Sequence, residues 1–179
     1  MRSFVSAILA CLVVCATQAS ADSVKSQYTA SNGVVVTVYR DDFADRTEYT
    51  APSVDLPNLG GFALVAKVKT AGKAGPAYIT GAVYYRGDWR FYNSAIARGG
   101  EALDAKFGDR NVGSCSGSRY GGGCSLNEGF RVYPTAEQLA KYTRSGVFEF
   151  QLRSSRGGDT VFSVPASYFS AVNEVAAAK

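Results

Sequence analysis

Residues 76–95 read Pro-Ala-Tyr-Ile-Thr-Gly-Ala-Val-Tyr-Tyr-Arg-Gly-Asp-Trp-Arg-Phe-Tyr-Asn-Ser-Ala, and this stretch decides the fold class. Its first half predicts a β-strand, because successive strand residues point to opposite faces of a sheet. One face of that strand should carry Tyr78, Thr80, Ala82 and Tyr84. Arg86-Gly87-Asp88 predicts a tight connection, since glycine and aspartate favour turns. A second strand should follow and direct Trp89, the only tryptophan, and Phe91 into the core.

Three further segments show strand patterns. Asn32-Gly33 lies between two β-prone runs and predicts a hairpin with a type I′ turn. Residues 62–70 alternate between apolar and basic side chains, which predicts a half-buried strand. Its apolar face would carry Phe62, Leu64, Ala66 and Val68, and the opposite face Lys67 and Lys69. Residues 147–153 alternate in the same way, and the side chains expected to point inward are Phe148, Phe150 and Leu152.

Two short helices are predicted near the end of the chain. Thr135 and Gln138 have the spacing of a capping box, and Gly146 should end that helix. A second helix should begin at Pro165. Residues 101–106 predict a short helical turn. With about eight strands, the chain is expected to be mainly β, as an antiparallel two-sheet β-sandwich or a partly open barrel.

Residues 1–21 have the pattern of a secretory signal peptide. Arg2 precedes an apolar run, and Ala19-Ser20-Ala21 forms a small-residue cleavage site before Asp22. Cleavage there would leave residues 22–179 as a single β-rich domain, periplasmic or secreted, with no membrane span in the mature chain.

Two other interpretations of the first residues are a buried N-terminal helix and a lipoprotein. A lipoprotein would require acylation at Cys11 or Cys15, and the apolar run before Cys11 is short. The processing site at residues 19–21 therefore favours ordinary cleavage.

Cys115 and Cys124 are the two cysteines outside the predicted signal peptide. In an exported chain this pair predicts a disulfide across a glycine-rich loop. A metal or redox pair is the alternative. It is disfavoured because there is no Cys-x-x-Cys motif and no histidine in the chain.

The absence of histidine also excludes Ser-His-Asp and Cys-His catalysis. No cofactor or metal is predicted, although the acidic residues 41–48 leave a calcium loop as an alternative to a solvated connection. The net charge of +4 is spread along the chain, so no nucleic-acid partner is expected.

Glycoside hydrolysis needs two paired carboxyl groups. The candidates are Asp88, Glu101, Asp104 and Glu128.

The remaining functional signal is aromatic. Tyr85, Trp89 and Tyr92 could form a stacking surface for a sugar or a peptide, whereas burial in the core is the structural alternative for all three rings. The sequence therefore favours an exported, non-enzymatic domain that binds an unidentified ligand or protein partner. The alternatives are a carbohydrate-binding module with exposed aromatics and a two-carboxylate carbohydrate-active enzyme.

Overall fold

The structure is a computed structural model that describes residues 24–56, 60–115 and 123–179. The predicted signal peptide and its cleavage site lie outside the described residues. The strands are β1 (Val24–Thr29), β2 (Val35–Asp41), β3 (Arg46–Thr50), β4 (Val54–Asp55), β5 (Gly61–Thr70), β6 (Lys73–Ala74), β7 (Tyr78–Arg86), β8 (Tyr92–Ala97), β9 (Ala102–Cys115), β10 (Cys124–Tyr133), β11 (Thr143–Arg144), β12 (Val147–Ser154) and β13 (Thr160–Pro165). The helices are α1 (Ala136–Tyr142) and α2 (Ser167–Ala178). Neither helix is both long and apolar enough to cross a membrane.

The described strands form one antiparallel sheet of 13 strands that is not closed. Its main path runs β1-β2-β3-β5-β7-β10-β9-β8-β12-β11, while β13 pairs with β12, and β4 and β6 pair with β5. The mainly β, antiparallel prediction with two helices is confirmed, but the two-sheet sandwich is not. The reason is β9, which pairs with β10 over most of its length and with β8 at Ala102 and Leu103. It therefore joins the strands from β1 to β10 on one side to β8, β12 and β11 on the other in a single sheet.

The sheet curves over a core of aromatic rings. Phe130 of β10 lies 4.9 Å from Phe162 of β13 and 6.1 Å from Phe150 of β12, measured between ring centroids. We call the side of the sheet that carries this core the inner side. The inward positions 148, 150 and 152 of β12 are buried, which confirms the alternation predicted from the sequence.

Helix α2 covers part of the inner side. It packs against β2, β3, β5 and β13 and buries Phe169, Ala171, Val172, Val175 and Ala176. Polar contacts fix its position: Ser31 donates from its backbone N–H to Glu174 at 2.8 Å, and Lys67 Nζ donates to Asn173 at 2.8 Å.

The helix cap and the hairpin predicted from local sequence patterns are both present, but their ends and turn type differ from the prediction. The capping box at Thr135 and Gln138 is present, but α1 ends at Tyr142 because Thr143 and Arg144 pair with β12. The β1–β2 hairpin forms, yet its turn is not type I′, since only Gly33 has a positive φ. Gly33 instead donates to the Ala30 carbonyl and follows a tight turn, as in a hairpin with a glycine bulge.

Two predictions of local structure were wrong. The helical turn expected at residues 101–106 is the start of β9, because Leu103 is buried opposite Ala95. In the 76–95 stretch, β7 forms as predicted, but Trp89 and Phe91 lie in a connection at residues 87–91. The next strand, β8, starts at Tyr92 and pairs with β9 and β12 instead of β7.

The predicted disulfide between Cys115 and Cys124 is confirmed, and it joins the facing ends of β9 and β10. Replacing both cysteines with alanine should lower the free energy of unfolding by about 2–3 kcal/mol, because the short loop is then no longer closed in the unfolded chain. Urea denaturation with and without a thiol reductant measures this effect. The double variant should be insensitive to reductant, and an unchanged midpoint for the reduced wild type would contradict the prediction.

Candidate functional site

Glu128 is a buried carboxylate that organises the connection at residues 87–91. The alternation of β10 turns its side chain inward, where only 3% of the residue is exposed. Its Oε1 accepts hydrogen bonds from the Tyr85 hydroxyl and from the backbone N–H groups of Arg90 and Phe91. Its Oε2 accepts from the Tyr92 N–H and from Arg110 Nε, both at 3.1 Å. Five donors therefore hold one carboxylate.

This environment keeps Glu128 ionised. Burial by itself would raise the pKa of Glu128, but hydrogen bonds from Tyr85, Arg110 and the backbone outweigh it and hold the pKa below the usual 4.5. Burial, together with the Glu128 carboxylate, raises the pKa of Tyr85 to about 12. Glu128 is thus an anion and Tyr85 a neutral donor at neutral pH, which is the opposite of the raised carboxyl pKa that a general acid needs.

Of the three aromatic residues predicted to form a stacking surface, Tyr85 and Tyr92 bond to this carboxylate. Tyr85 and Tyr92 are buried, at 8% and 1% exposure, and Trp89 is half-buried against the core. The Tyr92 hydroxyl donates to the Gly158 carbonyl at 2.9 Å. Ligand binding through these rings stays a prediction, but Tyr85 and Tyr92 do not offer exposed faces.

Phe91 is held in an unusual conformation by the same contacts. Its φ of 55° lies in the left-handed region that non-glycine residues rarely adopt. The carboxylate of Glu128 fixes its backbone, and the guanidinium carbons of Arg110 and Arg156 each lie 4.9 Å from the ring centroid. These contacts fasten the connection to β9 and to the turn before β13.

The other candidate carboxylates lie elsewhere. Glu101 accepts from Lys141, Gln138 and Tyr142, so it attaches α1 to the sheet, and these hydrogen bonds, from Tyr142 first, lower its pKa to about 2. Asp104 is exposed on β9, next to the inward Leu103, and Asp88 is exposed in the 87–91 connection. No two of the four share a hydrogen-bond partner within the described ranges.

The acidic residues 41–48 lie at the end of β2, in the turn at residues 42–45 and at the start of β3. Asp41 accepts from the backbone N–H groups of Phe43 and Ala44, both at 3.0 Å, and Asp42 and Glu48 form ion pairs with Arg40 and Arg46. In the part of the chain that the structure describes, no three acidic, cysteine or histidine side chains are grouped to hold a metal ion.

The outer side of the sheet carries a second arrangement, which we call the outer depression. It is a shallow hollow of about 210 Å³ over β7, β10 and β9. The outward side chains at its margin are Thr80, Lys106, Asp109 and Arg131, and its floor includes Gly129. A β-bulge opposite Gly129 and the missing glycine side chain leave this floor open.

Aromatic pairs flank the outer depression at both ends. Tyr78 and Tyr133 lie 5.4 Å apart between ring centroids on one side, and Phe62 and Tyr84 lie 6.3 Å apart on the other. The sheet register places the Thr80–Arg131 and Ala82–Gly129 pairs between them. Tyr84 is 43% exposed, whereas the other three rings are half-buried.

Of the polar side chains around the outer depression, Thr80 donates to the Phe130 carbonyl at 3.2 Å, whereas the charged ones are unpaired in the part of the chain that the structure describes. Among the described residues, Lys106, Asp109 and Arg131 form no side-chain hydrogen bond and no ion pair. Lys106 Nζ lies 5.6 Å from the Tyr133 ring centroid. Two cations, one anion and four rings are therefore available to a ligand on this face.

Tyr78, Thr80, Ala82 and Tyr84 share one face of β7, as the sequence pattern predicts, but nothing in the pattern assigns that face to a site. From the sequence, Phe62, Leu64, Ala66 and Val68 are expected to form the buried face of β5. That expectation was wrong for most of the face: Ala63, Val65 and Ala66 are buried, while Phe62, Leu64 and Val68 are only half-buried. Large apolar side chains on the outer side were the signal that could have identified this surface.

Comparison with known proteins yields no relative: the chain matches no protein-family model, no curated protein and no solved structure.

Proposed function

We propose that this protein is an exported, non-enzymatic domain that binds an oligosaccharide in the outer depression. The observation that carries the proposal is the combination of an open floor at Gly129 with aromatic pairs at both ends. Sugars present flat apolar faces and many hydroxyl groups. A surface of rings with unpaired polar side chains between them complements both features.

The dimensions favour a chain of sugars over a compact molecule. Tyr78 and Tyr84 are six residues apart on β7, which corresponds to about 20 Å at ~3.4 Å per residue. The hollow between them, about 210 Å³, is smaller than the ~300–1,000 Å³ of most enclosed ligand pockets. An extended oligosaccharide can contact both aromatic pairs across this shallow surface.

A binding role is better supported than hydrolysis. Glu128 and Glu101 both have lowered pKa values, so neither supplies the protonated carboxyl group of a glycosidase. Export is supported by the Cys115–Cys124 disulfide, because such bonds persist in oxidising compartments. The two-sheet sandwich expected from the sequence would serve the same role, since it also leaves an outer face free for a ligand.

Isothermal titration calorimetry with cellohexaose, chitohexaose and hexagalacturonate tests the proposal. We expect hexagalacturonate to bind tightest, because Lys106 and Arg131 outnumber Asp109, and its affinity should fall with added salt. Absence of binding to all three oligosaccharides would reject an oligosaccharide ligand.

Replacing Tyr84 with alanine should weaken hexagalacturonate binding about tenfold, or about 1.4 kcal/mol, since one stacking ring is lost. Tyr39→Ala is the matched control: this tyrosine is 37% exposed on β2, away from the depression. Both substitutions remove exposed rings, so both variants should keep their melting temperature within a few degrees. Equal affinities of the two variants would contradict the assigned site.

A further inference from the structure

A second open surface lies on the inner side of the sheet, beyond the end of α2. We call it the inner groove, a hollow of about 470 Å³ over β1, β2, β3 and β5. The residues that define it are Tyr28, Arg40, Thr47, Tyr49, Lys69 and Lys179. Helix α2 shields the neighbouring part of the inner side, where Lys67 bonds to Asn173, but leaves this part uncovered.

The inner groove has the size and lining of a small-molecule site. Its volume falls within the ~300–1,000 Å³ typical of such sites, whereas the outer depression is smaller. Val38 and Tyr49 form a buried apolar floor. Ser26 and Thr47 add hydroxyl groups at its sides. An apolar floor with a few polar groups at the margin is the usual composition of a ligand pocket.

The charges at the margin are mostly positive. Arg40, Lys69 and Lys179 line the groove, and Asp45 is the acidic side chain among its lining residues. Arg40 is paired with Asp42, whereas the side chain of Lys69 forms no hydrogen bond or ion pair within the described ranges. Lys179 Nζ lies 4.4 Å from the centroid of the Tyr28 ring. Lys69 and Lys179 therefore place positive charge beside an aromatic surface.

We propose that the inner groove binds a small organic anion: a flat apolar body against Tyr28 and Tyr49, and a carboxylate, sulfonate or phosphate group beside Lys69. Burial and, to a lesser degree, Tyr28 raise the pKa of Tyr49 above 10.0, so its hydroxyl stays neutral and does not repel the anion. This site lies on the opposite face of the sheet from the outer depression, so it can be tested independently of oligosaccharide binding.

The test uses 1-anilinonaphthalene-8-sulfonate, an aromatic sulfonate whose fluorescence rises in apolar surroundings. Titration of the oxidised protein should give saturable binding at one site. Lys69→Gln and Lys179→Gln should each weaken it, Lys69→Gln by about fivefold, which is the effect of removing one charge near the anion. The matched control is Lys25→Gln, because Lys25 precedes Ser26 on β1 but lies over Tyr39 on the outer side. It should leave the affinity unchanged.

A displacement experiment separates charge from shape. 2-Naphthoate should displace the dye at least about fivefold better than 2-naphthalenemethanol, which has a similar body and no charge. Non-saturable dye binding, equal effects of Lys25→Gln and Lys69→Gln, or equal displacement by the two naphthalenes would each overturn the proposal. Circular dichroism confirms that each variant is folded, and Tyr84→Ala should leave the dye affinity unchanged.

Discussion

Replacing Glu128 with alanine is expected to lower the free energy of unfolding by about 3–5 kcal/mol, because several of its donors are buried and each buried donor left without an acceptor costs about 1–3 kcal/mol. The substitution leaves Arg110 and the N–H groups of residues 90–92 without their acceptor. It also removes the contacts that hold Phe91 at positive φ. Urea denaturation followed by the fluorescence of Trp89, which lies in the same connection, measures the loss.

The pH dependence of the free energy of unfolding distinguishes the contribution of the Glu128 charge from that of its side-chain shape. Because the folded-state pKa is lowered, the stabilisation by the ionised carboxylate is fully present above pH about 4.5 and is lost as the pH falls through the folded pKa. Glu128→Gln should therefore be less stable than the wild type at pH 7, and the difference should shrink below pH 4.5. A difference that does not change with pH would contradict an ionised Glu128.

Glu137→Gln provides the control for a carboxylate at the surface. Glu137 is exposed in the first turn of α1, so its replacement should change the free energy of unfolding by less than about 1 kcal/mol. If Glu128→Ala were no more destabilising than Glu137→Gln, the five hydrogen bonds to Glu128 would contribute nothing net to stability, and Glu128 would not hold the 87–91 connection in place.

Glu128 also shows what could be predicted from the sequence. Its position on a strand with Phe130 and Val132 follows from alternation, which depends on neighbouring residues only. Its partners do not: Arg90 is 38 positions away in the chain and Arg110 is 18 away. The capping box of α1 and the alternation of β12 were predictable because they are local. Strand order was not, and the single sheet depends on the long strand β9.

The outer depression illustrates the same limit. Tyr78 and Tyr84 could be placed on one face of β7 from the sequence, but their neighbours come from β10 and β5. Burial of the Phe62–Val68 face of β5 was predicted from the alternation of apolar and basic side chains, but Ala63 and Val65 of the opposite face are buried as well as Ala66. Tertiary packing decides which face is buried, since on the inner side the Phe130 ring lies over Gly81, where an added Cβ would be 2.8 Å from its Cζ atom.

Substitution of Gly81 is expected to cause the second large loss of stability. A Cβ added there would lie 2.0 Å from the Phe62 carbonyl oxygen and 3.0 Å from the Ala63 Cα, both of which are backbone atoms. Strands β5 and β7 would have to separate, because backbone cannot move aside as a flexible side chain does. Gly81→Ala is therefore expected to destabilise the protein by about 3 kcal/mol or more, measured by urea denaturation.

The matched control is the same substitution at Gly129, one strand away. A Cβ at Gly129 would lie 3.4 Å from the Asp109 Cβ, an ordinary contact, so Gly129→Ala should change the free energy of unfolding by no more than about 0.5–1 kcal/mol. A stable Gly81→Ala variant would contradict the close approach of β5 and β7. The methyl group that Gly129→Ala adds fills the floor of the outer depression. This variant should therefore stay folded and bind hexagalacturonate at least about threefold more weakly. Unchanged affinity would place oligosaccharide binding elsewhere, since a ligand seated on that floor cannot avoid the added methyl group.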